Sequence, residues 1–265
     1  GGGLGVLEAE TSEANTIGIV WQPDFANLSV SADFFDIKIE DQVSQLGAST
    51  IVSACYNSDF FPTDPLCALF ERRALDQGID NIRDSYINVA EQRNRGWDLA
   101  ATWVTDTPVG MLTLETQHTF QIEDTVALFE DTAQDFNGEV GEPKWTGRVS
   151  AALQNGAWSG AWVANIIGDA SNYDSFGGNT VTLRGGREVR VVLDTDTVVY
   201  HNASVAYSFD NGATVRLGVS NIFDKEPPRL TTLNLGEVST QGNSAFYSQY
   251  DWEGRTIFAN LRWEM

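Results

Sequence analysis

The last twelve residues, Gly254–Met265, read "GRTIFANLRWEM". Every second position is apolar: Ile257, Ala259, Leu261, Trp263 and Met265. Thr256, Phe258, Asn260, Arg262 and Glu264 alternate with them. A period of two is that of a β-strand whose two faces meet unlike surroundings. The stripe runs into the final residue, where chain ends usually fray into water. An outward face of Ile, Ala, Leu and Trp needs an apolar environment along its whole length.

The same alternation recurs eight more times upstream. Ile17, Ile19 and Trp21 share a face, as do Leu28, Val30, Ala32 and Phe34. Trp97, Leu99, Ala101 and Trp103 form another stripe, and Leu112, Leu114, Thr116, His118 and Phe120 the next. Val149, Ala151 and Leu153 precede Trp158, Trp162 and Ile166. Val199, Ala203, Val205, Tyr207 and Phe209 are followed by Val215, Leu217 and Val219. Residues 149–168 lack any charge and have the length of a membrane helix. Asn155-Gly156 at their centre and the alternation around it predict a hairpin instead.

The connections strictly alternate in length. Those at 23–27, 106–110, 155–157 and 210–212 are tight, two of them built on Asn-Gly. Those at 40–85, 123–142, 169–197 and 223–253 are long. Long structureless loops are uncommon in compact soluble domains. Short turns on one rim and long loops on the other are the pattern of an outer-membrane barrel. Trp21, Trp103, Trp158, Tyr207 and Trp263 all fall on the apolar stripes beside the short turns, as an interfacial aromatic girdle requires. The expected fold is all-β: an antiparallel transmembrane β-barrel portion of about nine strands, with short periplasmic turns and long extracellular loops. Each apolar stripe then faces lipid, the polar alternates line the lumen, and the terminal strand must pair along its full length.

Composition narrows the function. Asp and Glu number 37 against 16 Lys and Arg, for a formal charge of −21, so nucleic acid is not an expected partner. Two Cys and two His leave little material for a catalytic or metal centre. No carboxylate pair, nucleophile or base is spaced for catalysis, and neither an enzyme nor a bound cofactor is expected. His118 and His201 lie on apolar stripes near the long-loop rim and read as interfacial residues. Cys55 and Cys67, in a loop outside the cell, are expected to form a disulfide. Between and beyond them, Asp64, Pro65 and Gly78 are start and stop signals for a short helix. Arg184, Arg187 and Arg190 flank Gly185-Gly186 in what reads as a loop hairpin. The loop at 123–142 holds seven carboxylates and no Lys or Arg. Glu130, Asp131, Asp135 and Glu139 make it a candidate divalent-cation loop, against the plainer reading of a solvated one.

Several segments resemble one family. "GATVRLGVSNIFDKEPP", residues 212–228, resembles the penultimate strand of TonB-dependent outer-membrane receptors, with its Asn-(Leu/Ile)-Phe-Asp-Lys core. "GRTIFANLRWEM" resembles their C-terminal strand, although Met265 stands where the family usually ends in Phe. "LEAETSEANTIGIVWQP", "PLCALFERR" and "NVAEQRNRGWDLAATW" resemble other segments of the same family. The resemblance implies energy-coupled import of a scarce nutrient: a ferric siderophore, haem, cobalamin or glycan. It implies a barrel of about 22 strands filled by an N-terminal plug. It also implies contacts with outer-membrane lipid and lipopolysaccharide, the barrel-assembly machinery that reads the C-terminal strand, and the TonB complex through an N-terminal part.

No plug and no charged-then-apolar leader stand in the chain, and nine antiparallel strands place Gly1 outside the cell, whereas single-chain bacterial barrels have even strand numbers. Residues 1–265 are therefore expected to be the C-terminal part of such a barrel. An autotransporter-type translocator barrel, or a soluble β-sandwich that binds carbohydrate, are the alternatives.

Overall fold

The computed structural model describes residues 7–84, 86–127, 133–173, 177–231, 240–241, 243–245 and 249–263. Among the described residues there are nine long strands: β1 (Thr11–Trp21), β2 (Leu28–Ser44), β3 (Ile87–Thr107), β4 (Gly110–Ala127), β5 (Trp145–Asn155), β6 (Trp158–Ile167), β7 (Val198–Ser208), β8 (Ala213–Ser220) and β9 (Thr256–Trp263). They lie in one sheet in sequence order, β1 and β9 at its two ends, with the short strand Ala133–Asp135 beside β4. A single path of neighbouring antiparallel strands is an up-and-down meander, the strand order that a barrel wall requires. The charge-free stretch 149–168 forms the β5–β6 hairpin. Gly156 (φ 53°) and Gly212 (φ 81°) take the positive-φ positions of two of the short turns, where a side chain would be strained.

Chain contacts divide the molecule into two compact units. The first comprises 1–14, 37–93 and 125–134; the second comprises 15–36, 94–124 and 135–265.

The first unit is organised by the loop between β2 and β3. Helix α1 (Ala48–Asn57) and a 3₁₀ turn (Pro65–Leu69) are joined by the Cys55–Cys67 disulfide, with an S–S distance of 2.09 Å. Leu46 and Ile51 are buried, with Leu66, Leu69, Phe70 and Ile82 packed on them. The helix expected between Asp64 and Gly78 is shorter than that. Asp64 caps the 3₁₀ turn by accepting from Leu66 N–H at 2.8 Å, but Phe70–Arg72 then runs extended and pairs with Ile79–Ile82. Gly78 closes that hairpin instead of a helix: its N–H donates to Asp76, and its carbonyl accepts from Arg73 N–H. The extended course brings Phe70 and Ile82 onto Ile51, a burial that a continued helix would forfeit. Helix α1 carries no sequence signal of comparable strength. Its N-cap is Gly47, at φ 82° and without a side-chain cap, and Ile51 and Val52 are β-branched.

In the second unit the register of β4 through β9 keeps the apolar positions together. Leu114 pairs Ala151, Ala151 pairs Trp162 and Trp162 pairs Ala203. Ala203 pairs Val219, and Val219 pairs Ile257. Because the side-chain period is two, this register puts every apolar stripe of these strands on one face. The opposite face carries cross-strand polar pairs. Ser150 donates to Glu115 at 3.3 Å and Arg216 to Ser204 at 3.1 Å.

Candidate functional site: an apolar face and a stitched loop cluster

The apolar face is largely uncovered. On strands that have a neighbour on both sides, Trp103 is 41% exposed, Val205 44%, Leu217 53% and Trp158 56%. Monomeric soluble proteins do not leave such a continuous area to water. Its residues form two aromatic groups. Beside the short turns, Trp158 stands edge-on to Tyr207 with ring centres 4.8 Å apart, and Tyr207 meets Phe209 at 4.7 Å. Trp21 meets Phe25 at 6.4 Å, and Trp263 N–H donates to the carbonyl of Asn211 at 3.2 Å. Trp103 is also exposed.

The second group, toward the long loops, was not legible as a row in the sequence. Phe120 stacks on Trp145 at 6.0 Å and 3° between planes. Trp162 stacks on His201 at 5.6 Å, and His201 meets Phe223 edge-on at 5.1 Å. These residues sit at unlike sequence offsets from their turns, so only the register shows them as neighbours. At about 3.3 Å per residue and a tilt near 40°, the rise from Asn155 to Trp145 is roughly 25 Å, the height of an outer-membrane apolar band.

His118 has both ring nitrogens occupied. Trp145 Nε1–H can only donate, and it reaches His118 Nδ1 at 3.1 Å. Nδ1 is therefore bare, the proton is on Nε2, and Nε2–H donates to Thr116 Oγ1 at 2.7 Å. The ring lies over Gly147, where an added Cβ would come within 2.3 Å of Nδ1.

At the long-loop end of the polar face three loops are built into one body. Val140, Ile167, Ala170, Val198, Tyr200, Leu230, Ala245 and Tyr250 form a buried core. Backbone and side-chain bonds stitch the loops across it. Asn172, only 3% exposed, accepts from Val140 N–H at 2.7 Å. Thr231 Oγ1 accepts from Val192 N–H at 2.7 Å, and Thr231 N–H donates back to the Val192 carbonyl at 2.9 Å. Nothing in the sequence marks Asn172 or Thr231; their roles arise from long-range pairing. A cleft of about 550 Å³ opens between the first two of these loops, lined by Gly138, Lys144, Asp169, Ser171, Asp194 and Asp196 with their neighbours.

The Asn-Ile-Phe-Asp-Lys segment is a clasp. Asn221 takes a positive φ of 49° and is 1% exposed. Its side chain accepts from Lys225 N–H at 2.8 Å and donates to the Lys225 carbonyl at 3.0 Å. Asp224 then accepts from Arg255 N–H at 2.8 Å and lies 3.5 Å from the Arg255 guanidinium. The segment thus ends β8 and positions the start of β9.

Of the candidate cation loop, Glu130 and Asp131 lie outside the described residues, as does Met265 of the terminal stripe. Asp135 accepts from Asn137 N–H at 3.0 Å and Asp124 N–H at 3.2 Å, and so closes a turn. Glu139 sits in an isolated bridge with Glu142. Among the described residues no three His, Cys, Asp or Glu side chains are grouped to hold a metal ion. Burial, and then the charge of Asp124, push the Glu142 carboxyl above its ordinary range. The Arg residues at 184–190 belong to a hairpin in which Thr180 pairs Arg190 and Thr182 pairs Glu188.

Residues 2–222 match the family model for the TonB-dependent receptor-like β-barrel. This chain belongs to that family. No curated protein sequence matches it. Among solved structures, the fold is similar to the siderophore receptor PirA from Acinetobacter baumannii, at 14% identity and a TM-score of 0.57, over 97% of this chain and 32% of that one. It is similar to the ferric enterobactin receptor PfeA from Pseudomonas aeruginosa in complex with enterobactin, at 18% identity and 0.60, over 96% and 31%. It is also similar to the copper transporter OprC, at 14% and 0.52, over 97% and 32%. The chain thus spans about a third of the length of the solved structures it matches. TonB-dependent receptor barrels are outer-membrane proteins, and the nine strands are transmembrane strands with short periplasmic turns and long extracellular loops.

Proposed function

We propose that this chain is the C-terminal part of an outer-membrane receptor that captures a scarce nutrient outside the cell and imports it by TonB-coupled energy. The observation that carries this is the stitched loop cluster. A pore or an adhesin tolerates loose loops, whereas a receptor gains affinity when its capture loops are ordered before the ligand arrives. Three loops sharing one buried core meet that requirement. The apolar face contacts lipid, and its two aromatic groups, the first including Trp21, Trp103, Trp158, Tyr207 and Trp263, lie at the two membrane interfaces. The Ile257, Ala259, Leu261 and Trp263 stripe presents the terminal strand to the barrel-assembly machinery. A plug and the remaining strands belong to an upstream part of the protein, which also meets TonB.

The solved structures similar to this chain include a siderophore receptor, a ferric enterobactin receptor and a copper transporter, so a metal or its chelate is the first cargo to test. The test is growth of a strain lacking the complete gene on single iron or copper sources under limitation, with and without an intact TonB. Loss of growth on one source, restored by the gene only when TonB is intact, is expected. Unchanged growth on every source, or rescue independent of TonB, overturns the reading.

A further inference from the structure

The cleft between the loops that follow β4 and β6 is lined by charges of both signs that do not pair with one another. Ile167 pairs Val198 where the β6–β7 ladder stops, and Ala170 pairs Thr195 three residues further on. Both pairs keep one register, so Asp169 faces Asp196 in the open stretch between them. Like charges directly opposite one another on neighbouring strands are destabilising. The backbone beside them is fixed: Thr195, 4% exposed, accepts from Ala170 N–H at 3.1 Å and donates to the Ala170 carbonyl at 3.4 Å. Asp194 accepts from Ser171 Oγ at 2.5 Å, whereas Asp169 and Asp196 have no side-chain partner among the described residues. Lys144, the one cation of this lining, belongs to the other loop. Gly138 has a φ of 95°, and a Cβ added there would come within 2.6 Å of Lys144 Cε, so the lysine stem lies along bare backbone. Ser171 N–H donates to the Gly138 carbonyl at 2.8 Å and ties the two loops together. Among the described residues Lys144 forms no ion pair with these or any other carboxylates.

We propose that this cleft binds a zwitterionic head group, an ammonium beside a carboxylate, on the small molecule the receptor captures. The proposal rests on the reading of the loop cluster as the capture site. The ammonium sits between Asp169 and Asp196 and removes their repulsion; the carboxylate meets the Lys144 ammonium. Opposite charges that share a cleft without meeting are matched by a ligand that carries both. A purely anionic group faces three carboxylates against one ammonium, and a purely cationic one leaves Lys144 opposing it. A bare metal ion finds no three grouped ligands here among the described residues, so a metal cargo arrives at this cleft inside a chelator. The volume of about 550 Å³ is that of a small-molecule site.

The test uses the full-length receptor in lipid nanodiscs and three probes that differ only in the head group: 2-aminobutyrate, propylamine and butyrate. Kd for each is measured by saturation-transfer NMR at fixed ionic strength. The Kd of 2-aminobutyrate should be about tenfold below that of propylamine, the gain one charge-assisted hydrogen bond allows, and butyrate should bind weakest. Asp196→Asn should weaken 2-aminobutyrate and propylamine about tenfold each. Lys144→Met should bring the Kd values of 2-aminobutyrate and propylamine together. Equal Kd values for the three probes, propylamine as tight as 2-aminobutyrate on the unaltered receptor, or butyrate the tightest each overturn the proposal. So do preferences that survive both substitutions. The import reading fails separately. TonB-dependent growth without any preference for 2-aminobutyrate overturns the zwitterion site alone. That preference in a receptor giving no TonB-dependent growth supports the site and overturns the import reading.

Discussion

Adjacent residues of β8 have opposite environments. Leu217 is 53% exposed on the apolar face, whereas Arg216 points to the polar face and donates to Ser204. Leu217→Arg places a charge at membrane depth and should cost about 2–4 kcal/mol. Arg216→Gln should cost well under half of that, measured by urea unfolding of the receptor in lipid vesicles; equal costs would reverse the facing. The next residue illustrates a second principle. Gly218 pairs Phe258, the one large aromatic on the polar side of β9, and an added Cβ would approach the Phe258 ring to 2.3 Å. The ring covers the glycine and supplies packing that a bare strand position lacks. Gly218→Ala and Phe258→Ala should each destabilise by about 1–3 kcal/mol. The double variant should cost less than their sum by at least about 0.5 kcal/mol, because removing the ring removes the clash. Strict additivity would show that the ring does not press on this position.

At the scale of elements, the loop between β2 and β3 is held by one cross-link and a small core. Joining Cys55 to Cys67 closes a 12-residue separation, and a loop of that size is worth about 3 kcal/mol. Replacing both with Ala should raise amide exchange across Ala48–Asn57 by about 100-fold under local opening, while β5 to β9 keep their protection. Unchanged exchange in α1 would mean that Leu46 and Ile51 hold the helix alone.

The acidic loop has a pH dependence with a definite sign. Glu142 has its folded pKa raised, so it favours the folded loop while protonated. That contribution is full below its ordinary value of 4.5 and is lost as pH rises through the folded value. Exchange protection of residues 136–142, corrected for intrinsic rates, should therefore fall from mildly acidic to neutral pH. Glu142→Gln should flatten the profile. Protection that instead grows toward neutral pH would contradict the burial of this carboxyl.

For the whole molecule, the alternation of short and long connections sets the sidedness. In the full-length receptor on intact cells, cysteines introduced at Asn155 and Asn211 should be hidden from a membrane-impermeant maleimide. One introduced at Asp135 should be labelled, and all three should react after lysis. Labelling at the two short turns, with Asp135 silent, would invert the topology.

The order and number of strands were legible because burial repeats every second residue and each tight turn carries its own chemistry. Trp158, Trp162 and the Asn155-Gly156 pair between Val149 and Gly168 sufficed for one hairpin. Residue alternation also divided the apolar side from the polar side. What folded in the long loops was not legible, since a local pattern cannot say which distant segment will supply a partner. The signals at Asp64 and Gly78 suggested one helix. Burial of Phe70 and Ile82 on Ile51 made a hairpin there and left α1 to a segment with no cap. The roles of Asn172, Thr231 and the clasp of Asp224 to Arg255 depend on contacts made across 31 or more positions, which register and packing alone bring together. Periodicity is written along the chain, whereas pairing between loops is decided only when the strands have placed their ends side by side.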